Sequence, residues 1–327
     1  MAKSINQKLK LLYLIDILNR ETDEQHPLNA QQLIEKLEAY DIKAERKSIY
    51  DDMEQLIQFG YDIVLSKSRK NGGYYMATRV FQLPELKILV DSVSASRFIT
   101  KKKSRELIAK LEKFSSRYEE NQLQRQVYVS NRIKSDNESI FYNVDDIHIA
   151  IQENKMISFQ YLAWNTGKEM QLKNGGKPYI VSPLGLLWND ENYYLIAYEN
   201  ERGIRHFRVD KMKNIMLREE TRQEESGYRD FDIAMYGNST FGMYGGKEET
   251  VSLLFPKELS GVMLDRFGKE LSFRKEEGDN YSIRVSITVS KQFFGWLTGL
   301  GKSVKIIKPE NVKEDYKQYL KDILKEL

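Results

Sequence analysis

Three runs of residues carry side chains that could do chemistry. Lys43, Arg46, Lys47, Ser48 and Tyr50 cluster at the start of a helix-like stretch, and Lys67, Arg69 and Lys70 crowd a polar loop that ends Asn71-Gly72-Gly73. Both sets are cations and short polar groups, the types that neutralise phosphates and read base edges. In the third run, Phe207 and Val209 alternate with His206 and Arg208, so one pair packs inward and the other projects to the opposite face. Turnover chemistry has no comparable foundation. The chain has no cysteine and only three histidines, His26, His148 and His206, which sets aside thiolate nucleophiles, disulfides and cysteine or histidine metal clusters. The adjacent carboxylates Asp51-Asp52 and Asp145-Asp146 diverge in direction on any regular element, and no second pair completes a metal site. Gly301-Lys302-Ser303 resembles the end of a phosphate-binding loop. That motif needs Gly where Trp296 stands and a helix where Val304-Lys305-Ile306-Ile307 reads as a strand.

The chain that positions these groups has 327 residues, 41% of them hydrophobic and 30% charged. At a prior of about 150 residues per domain this means two to three folded units. No window reaches the roughly 18 uncharged apolar residues of a membrane span, and the start lacks a signal-peptide pattern, so a cytoplasmic protein without membrane contact is expected. The net charge is only +3, and residues 1–80 hold twelve basic and twelve acidic side chains. Any affinity for nucleic acid must therefore come from where the charges lie.

From Asn6 to Arg20, Leu11, Leu14, Ile15 and Leu18 lay an apolar stripe along a first helix. Asn29, three residues before Gln32 and just ahead of Leu33, Ile34 and Leu37, predicts a capped second helix. After the connection Tyr40-Asp41-Ile42-Lys43, a third helix puts Ile49, Met53, Leu56 and Ile57 on one face and stops at Gly60. Ile63-Val64-Leu65 and Tyr74-Tyr75-Met76 then flank the basic loop as a hairpin. Three short helices and a basic hairpin predict a winged helix-turn-helix over residues 1–80. With Ile49, Met53 and Leu56 inward, Arg46, Lys47, Ser48 and Tyr50 are left for DNA.

Residues 81–138 read as a helical linker, basic from Lys101 to Arg125, acting as a phosphate-contacting surface or, as we favour, a solvated coupling arm. Beyond Ile140 the texture becomes short strands: Ile157 to Tyr161, Leu184 to Trp188, Tyr193 to Tyr198 and Arg205 to Val209, which predict a small antiparallel barrel over 139–225. A Gly- and Tyr-rich stretch, Tyr236 to Gly246, precedes a last unit at 247–327. There, strands Val251–Phe255, Tyr281–Val289 and Val304–Ile307 alternate with helical stretches Pro256–Phe267, Lys291–Gly299 and Glu310–Leu327. The expected class is α+β multidomain.

Three stretches, in order, resemble a known family: regulators joining a DeoR-like winged helix to a WYL domain and a C-terminal extension, WCX. Arg46-Lys47-Ser48-Ile49-Tyr50-Asp51-Asp52 is similar to the family's recognition helix, except that Asp51 stands where Arg is usual. Tyr193-Tyr194-Leu195 takes the place of the Trp-Tyr-Leu strand, between Ser182-Pro183-Leu184-Gly185-Leu186 and Arg205-His206-Phe207-Arg208-Val209-Asp210-Lys211-Met212. Phe293 to Gly301, followed by Val304 to Pro309, is similar to the extension. The resemblance implies an Sm- or SH3-like barrel, a homodimer, transcription control and a response to nucleic acid or small effectors. It also implies that Tyr161, Tyr194, Arg205 and Lys211 lie near Arg208 and His206. Such a group suits a nucleotide, a single strand or another anion; the alternative makes the tyrosines barrel core and the arginines ion pairs.

The expectation is thus a dimeric regulator, by prior a repressor, that binds a double-stranded operator under effector control, with no cofactor and no catalysis. Two other readings stand beside it: a nucleic-acid-processing enzyme positioned by the winged helix, and an interaction scaffold recruiting partners through the C-terminal unit.

Overall fold

The first buried stripe fixes the first element. In the computed structural model, which describes residues 6–68, 71–123, 134, 137–200, 202–223, 225, 227 and 229–327, helix α1 spans Lys10–Glu21 and buries Leu14, Ile17 and Leu18 at three- and four-residue spacing. Helix α2, Ala30–Glu38, begins with the reciprocal cap the sequence predicts: Gln32 N–H donates to Asn29 Oδ1 at 3.0 Å and Asn29 N–H to Gln32 Oε1 at 2.9 Å. Helix α3, Arg46–Phe59, ends at Gly60, whose φ of 118° lets its N–H return to the carbonyls of Leu56 and Ile57. Ile49, Met53 and Leu56 are buried, but Ile57 is 46% exposed. Eight residues past Ile49 a helix of 3.6 residues per turn has rotated about 80° off the seam.

Strands β1, Ile63–Ser66, and β2, Gly73–Met76, pair antiparallel with Ile63 opposite Met76. The hairpin is pinned at its inner end. Leu28 and Tyr74 exchange backbone hydrogen bonds of 2.9 and 2.8 Å, and Met76 N–H donates to the buried Thr22 Oγ1 at 3.0 Å. Gly73 permits this approach, since a Cβ there would sit 2.4 Å from the Leu28 carbonyl carbon. Three further helices follow: α4, Leu83–Ala95, α5, Lys101–Glu112, and α6, Arg117–Leu123. Arg117 Nη1 meets Glu21 at 3.2 Å and the Tyr118 ring stacks on His26 at 3.8 Å, fastening α6 to the end of α1.

The chain divides into two compact units, 1–136 and 137–327. The second opens with helix α7, Ile140–Gln152, a stretch to which the sequence reading assigned no element before the strand at Ile157. Its buried residues, Ile140, Asn143, Ile147 and Ala150, show the helical period plainly, and Asn143 Nδ2 donates to the Met212 carbonyl at 3.0 Å. Six antiparallel strands then build a curled sheet: β3 Lys155–Trp164, β4 Met170–Leu172, β5 Tyr179–Asn189, β6 Asn192–Glu199, β7 Gly203–Arg208 and β8 Met212–Thr221. The order is β4-β3-β5-β6-β7, with β8 on β3. Phe159, Tyr161, Tyr179 and Phe207 fill its interior, mostly edge to face at 5.0 to 6.5 Å.

Helix α8, Ile233–Ser239, lies on β5, where Gly185 leaves room for Ile233. The remaining elements are β9 Lys247–Pro256, α9 Ser260–Phe267, β10 Arg274–Lys275, β11 Asn280–Val289, α10 Lys291–Gly299, β12 Lys305–Lys308 and α11 Glu310–Lys325. The strand order β10-β11-β9-β12, all antiparallel, is the split β-α-β arrangement of ferredoxin-like folds. The molecule is a mixed α/β multidomain protein whose second unit contains a curled sheet. No helix among the described residues is long and apolar enough to cross a membrane.

Candidate nucleic-acid interface and effector site

Burying Ile49, Met53 and Leu56 leaves the N-terminal half of α3 facing out. Lys43, Arg46 and Lys47 are exposed and Tyr50 is 42% exposed, its ring 6.5 Å from that of Tyr74 on β2. Ser48 is half-buried, and its hydroxyl takes a hydrogen bond from Lys10 Nζ. The same ammonium lies 2.6 Å from Asp52 Oδ2, so a buried ion pair ties α1 to α3 beneath the exposed face. Burial, only partly offset by Lys10, pushes the Asp52 carboxyl up from its ordinary value. Asp51 and Glu54 are also exposed, so the face is cationic toward the helix start and mixed beyond it. Lys67 is exposed at the end of β1; Arg69 and Lys70 lie outside the described residues.

In the curled sheet, the six residues singled out from sequence sort into two groups. Tyr161 and Tyr194 gather about Arg208, with Asp210 and Lys211 in the turn that follows it. Arg208 Nε and Nη2 donate to the two Asp210 oxygens at 3.0 and 2.9 Å, and Nη2 also reaches Asn192 Oδ1 at 2.8 Å. Tyr161 stands in the aromatic interior, and its hydroxyl accepts the Arg208 backbone N–H at 3.1 Å. Burial pushes that phenol up to about 12. Tyr194 lies opposite Arg208 in the β6–β7 register, with its phenol also pushed up by burial. Lys211, half-buried and near Arg208, has its ammonium pulled below its ordinary range, first by burial and then by that guanidinium.

Arg205 and His206 point elsewhere. Arg205 Nη1 pairs with Glu199 at 2.7 Å and its guanidinium lies 5.5 Å over Phe207. His206 is enclosed, with Nδ1 2.6 Å from the Met243 carbonyl and Nε2 2.8 Å from the Tyr236 hydroxyl. A carbonyl can only accept, so in the neutral ring Nδ1 carries the proton and Nε2 accepts from the tyrosine. Burial lowers the imidazole pKa. His206 therefore fastens the connection after α8 to the sheet.

The sequence reading left out Asp210 and Asn192, which hold Arg208. Asp210 stands two residues after Arg208, a spacing that strand period puts on the same side, as it does for Arg218 and Glu220 on β8. Asp210 itself lies in the 3-10 turn Val209–Lys211. Among the described residues no three His, Asp or Glu are placed to hold a metal.

Fold and site together define a multidomain α/β protein whose small curled-sheet domain carries a rim of cations and tyrosines. Residues 142–217 match the WYL domain family model, and this segment is a WYL domain. Among solved structures, the chain is similar to proteasome accessory factor B/C (PafBC) of Arthrobacter aurescens, at 16% identity and TM-score 0.28, covering 98% of this chain and 48% of that one. The chain thus spans about half the length of PafBC. It is also similar to a CRISPR Cas-related protein, at 13% identity and TM-score 0.36, covering 74% of this chain and 70% of that one. No curated protein matches the chain.

Proposed function

We propose that the chain is a cytoplasmic, homodimeric, DNA-binding transcriptional regulator, a repressor controlled by an effector at its WYL domain. Residues 1–80 act as a winged helix-turn-helix, 81–138 as the coupling linker, 139–225 as the sensor and 247–327 as the dimerising extension. The observation that carries the reading is α3, with three large apolar residues buried on one face and Lys43, Arg46, Lys47 and Tyr50 exposed on the other, beside a pinned hairpin that carries Lys67. A helix so disposed fits a major groove about 12 Å wide, with the hairpin beside it against the backbone. In the sensor, Arg208 leaves Nη1 unbonded at a rim with Tyr194 and Lys211. That group suits the phosphate and base of a nucleotide or a single strand. The function needs no cofactor and no catalytic step.

The test is a salt titration of the purified protein on duplex DNA from upstream of its own coding sequence. Each lost phosphate contact reduces the slope of log affinity against log salt by about 1. Arg46→Ala with Lys47→Ala is expected to weaken binding at low salt and flatten the slope, while Arg208→Ala keeps both but abolishes the response to a short single-stranded oligonucleotide. An Arg46/Lys47 variant with wild-type affinity and slope would refute the α3 assignment.

A further inference from the structure

The first unit contains a cleft of its own, about 540 Å³ in volume, between the end of α1, one face of α2 and the start of α6. That volume lies in the range of small-molecule sites. Gln32, Glu35, Lys36 and Ala39 recur at three- and four-residue spacing, so a single stripe of α2 and its cap line one wall. Glu21, the last residue of α1, presents one oxygen, Oε2, to two cations: Lys36 Nζ and, at 3.2 Å, Arg117 Nη1. Arg117 is held where it stands. Its Nη2 donates to the Tyr118 hydroxyl at 2.9 Å, and the Tyr118 ring lies flat on His26, 3.8 Å away and inclined by 8°. His26 in turn meets Asp23 at 2.7 Å, so the start of α6 is fixed against the chain between α1 and α2.

The charges of the cleft balance in number and not in place. Two cations, Lys36 and Arg117, face two carboxylates, Glu21 and Glu35, but both cations lean on Glu21. Glu35 has no cation at ion-pair distance among the described residues, and its one hydrogen bond comes from the neutral Gln31 amide at 3.3 Å. Negative charge is therefore in deficit beside Lys36 and Arg117, and positive charge beside Glu35. Leu28, Ala39 and Tyr40, the last stacked on Tyr13 at 4.2 Å, add apolar surface to the walls. A small molecule that is neutral overall with separated charges answers both deficits through charge-assisted hydrogen bonds. We infer that this cleft binds an α-amino acid or a short peptide, its carboxylate on Lys36 and Arg117 and its ammonium on Glu35. The site lies wholly in the first unit and is separate from the WYL rim, so the inference stands apart from the proposed function. Since α6 supplies Arg117 while α1 and α2 supply the carboxylates and Lys36, an occupied cleft ties α6 more firmly to the two helices that precede α3.

The test is isothermal titration calorimetry of the full chain with each of the common amino acids and with dialanine, followed by the amide and the N-acetyl derivative of the tightest binder. Each derivative lacks one of the two charges and is expected to bind about tenfold or more weakly than its parent. Glu35→Gln and Lys36→Gln are expected to weaken the parent by about the same factor. Glu35 is exposed and bonded only to Gln31, so Glu35→Gln should leave the melting temperature unchanged and report on binding alone. Dialanine binding more tightly than any amino acid would make a peptide the ligand, and the reverse order a free amino acid. An N-acetyl derivative as tight as its parent would reduce the site to one for simple anions and overturn the inference. Full affinity in both Glu35→Gln and Lys36→Gln would place the ligand elsewhere and overturn it too, as would a wild-type chain that binds none of these molecules at millimolar concentration.

Discussion

At the residue scale, the buried Lys10–Asp52 pair shows why one side chain cannot be read in isolation. With side chains only 9% and 10% exposed, the two charges neutralise each other across the α1–α3 seam, and Lys10 also engages Ser48. Removing one leaves the other buried and unpaired, whereas replacing both with apolar groups removes the desolvation cost along with the attraction. Lys10→Met is expected to destabilise the N-terminal unit by about 3 kcal/mol, and Lys10→Met with Asp52→Leu to recover most of that loss. Urea denaturation of the single and double variants measures both; an additive double variant would contradict the pairing. His206 gives a prediction in pH. Its folded-state pKa is lowered by burial, so between that value and the ordinary 6.5 the unfolded chain binds the proton and the folded chain does not. The stability it contributes is full above about pH 6.5 and falls as pH drops below it. Melting curves from about pH 8 to about pH 5 should show a steeper acid loss for wild type than for His206→Gln; parallel curves would exclude His206 as the cause. The alternation of His206 and Arg208 was legible in the sequence. That His206 would close against Tyr236 was not, because Tyr236 arrives thirty residues on, from α8, rather than through strand period.

At the element scale, short-range signals were read well and long-range pairing was not. Asn29 with Gln32, and Gly60, stop and start helices through bonds within a few residues, so the sequence contains the whole interaction. Strand β8 gave no such signal. Its burial pattern is mostly exposed, and it exists because β3 lies beside it, Ile157 opposite Leu217. Helix α7 was legible from Ile140, Asn143, Ile147 and Ala150, but the sequence reading named no element there before the strand at Ile157. The β1–β2 hairpin offers the sharpest test at this scale. Gly73 is needed less for flexibility than for the closeness of the Leu28 backbone, so Gly73→Ala must push β2 away and break the Leu28–Tyr74 hydrogen bonds. A loss of about 2 kcal/mol is expected, and, under the proposed function, weakened duplex binding. Chemical denaturation and duplex titration together read this, and a Gly73→Ala protein with intact stability would mean the hairpin is free to shift.

At the scale of the whole molecule, the modest net charge and the balanced first 80 residues mean that bulk electrostatics cannot recruit DNA or report an effector; both tasks fall to local placement. The two compact units, 1–136 and 137–327, each carry a core of their own, Leu14, Leu18, Leu33, Ile49 and Met53 in the first, and Phe159, Phe207, Val251 and Phe255 among those in the second. The proposed regulation requires that a ligand at the second unit bind two states of the molecule with different affinity, because equal affinity shifts no population. Thermodynamic linkage makes this testable without knowing the states. If a single strand changes duplex affinity by some factor, duplex must change strand affinity by the same factor, typically about 5- to 150-fold for a coupled pair. Arg208→Ala is expected to remove the factor from both titrations together while leaving duplex affinity in the absence of strand as it was. A factor seen in the duplex titration but missing from the strand titration would mean that the two nucleic acids compete for one surface, most simply α3, rather than communicate between units.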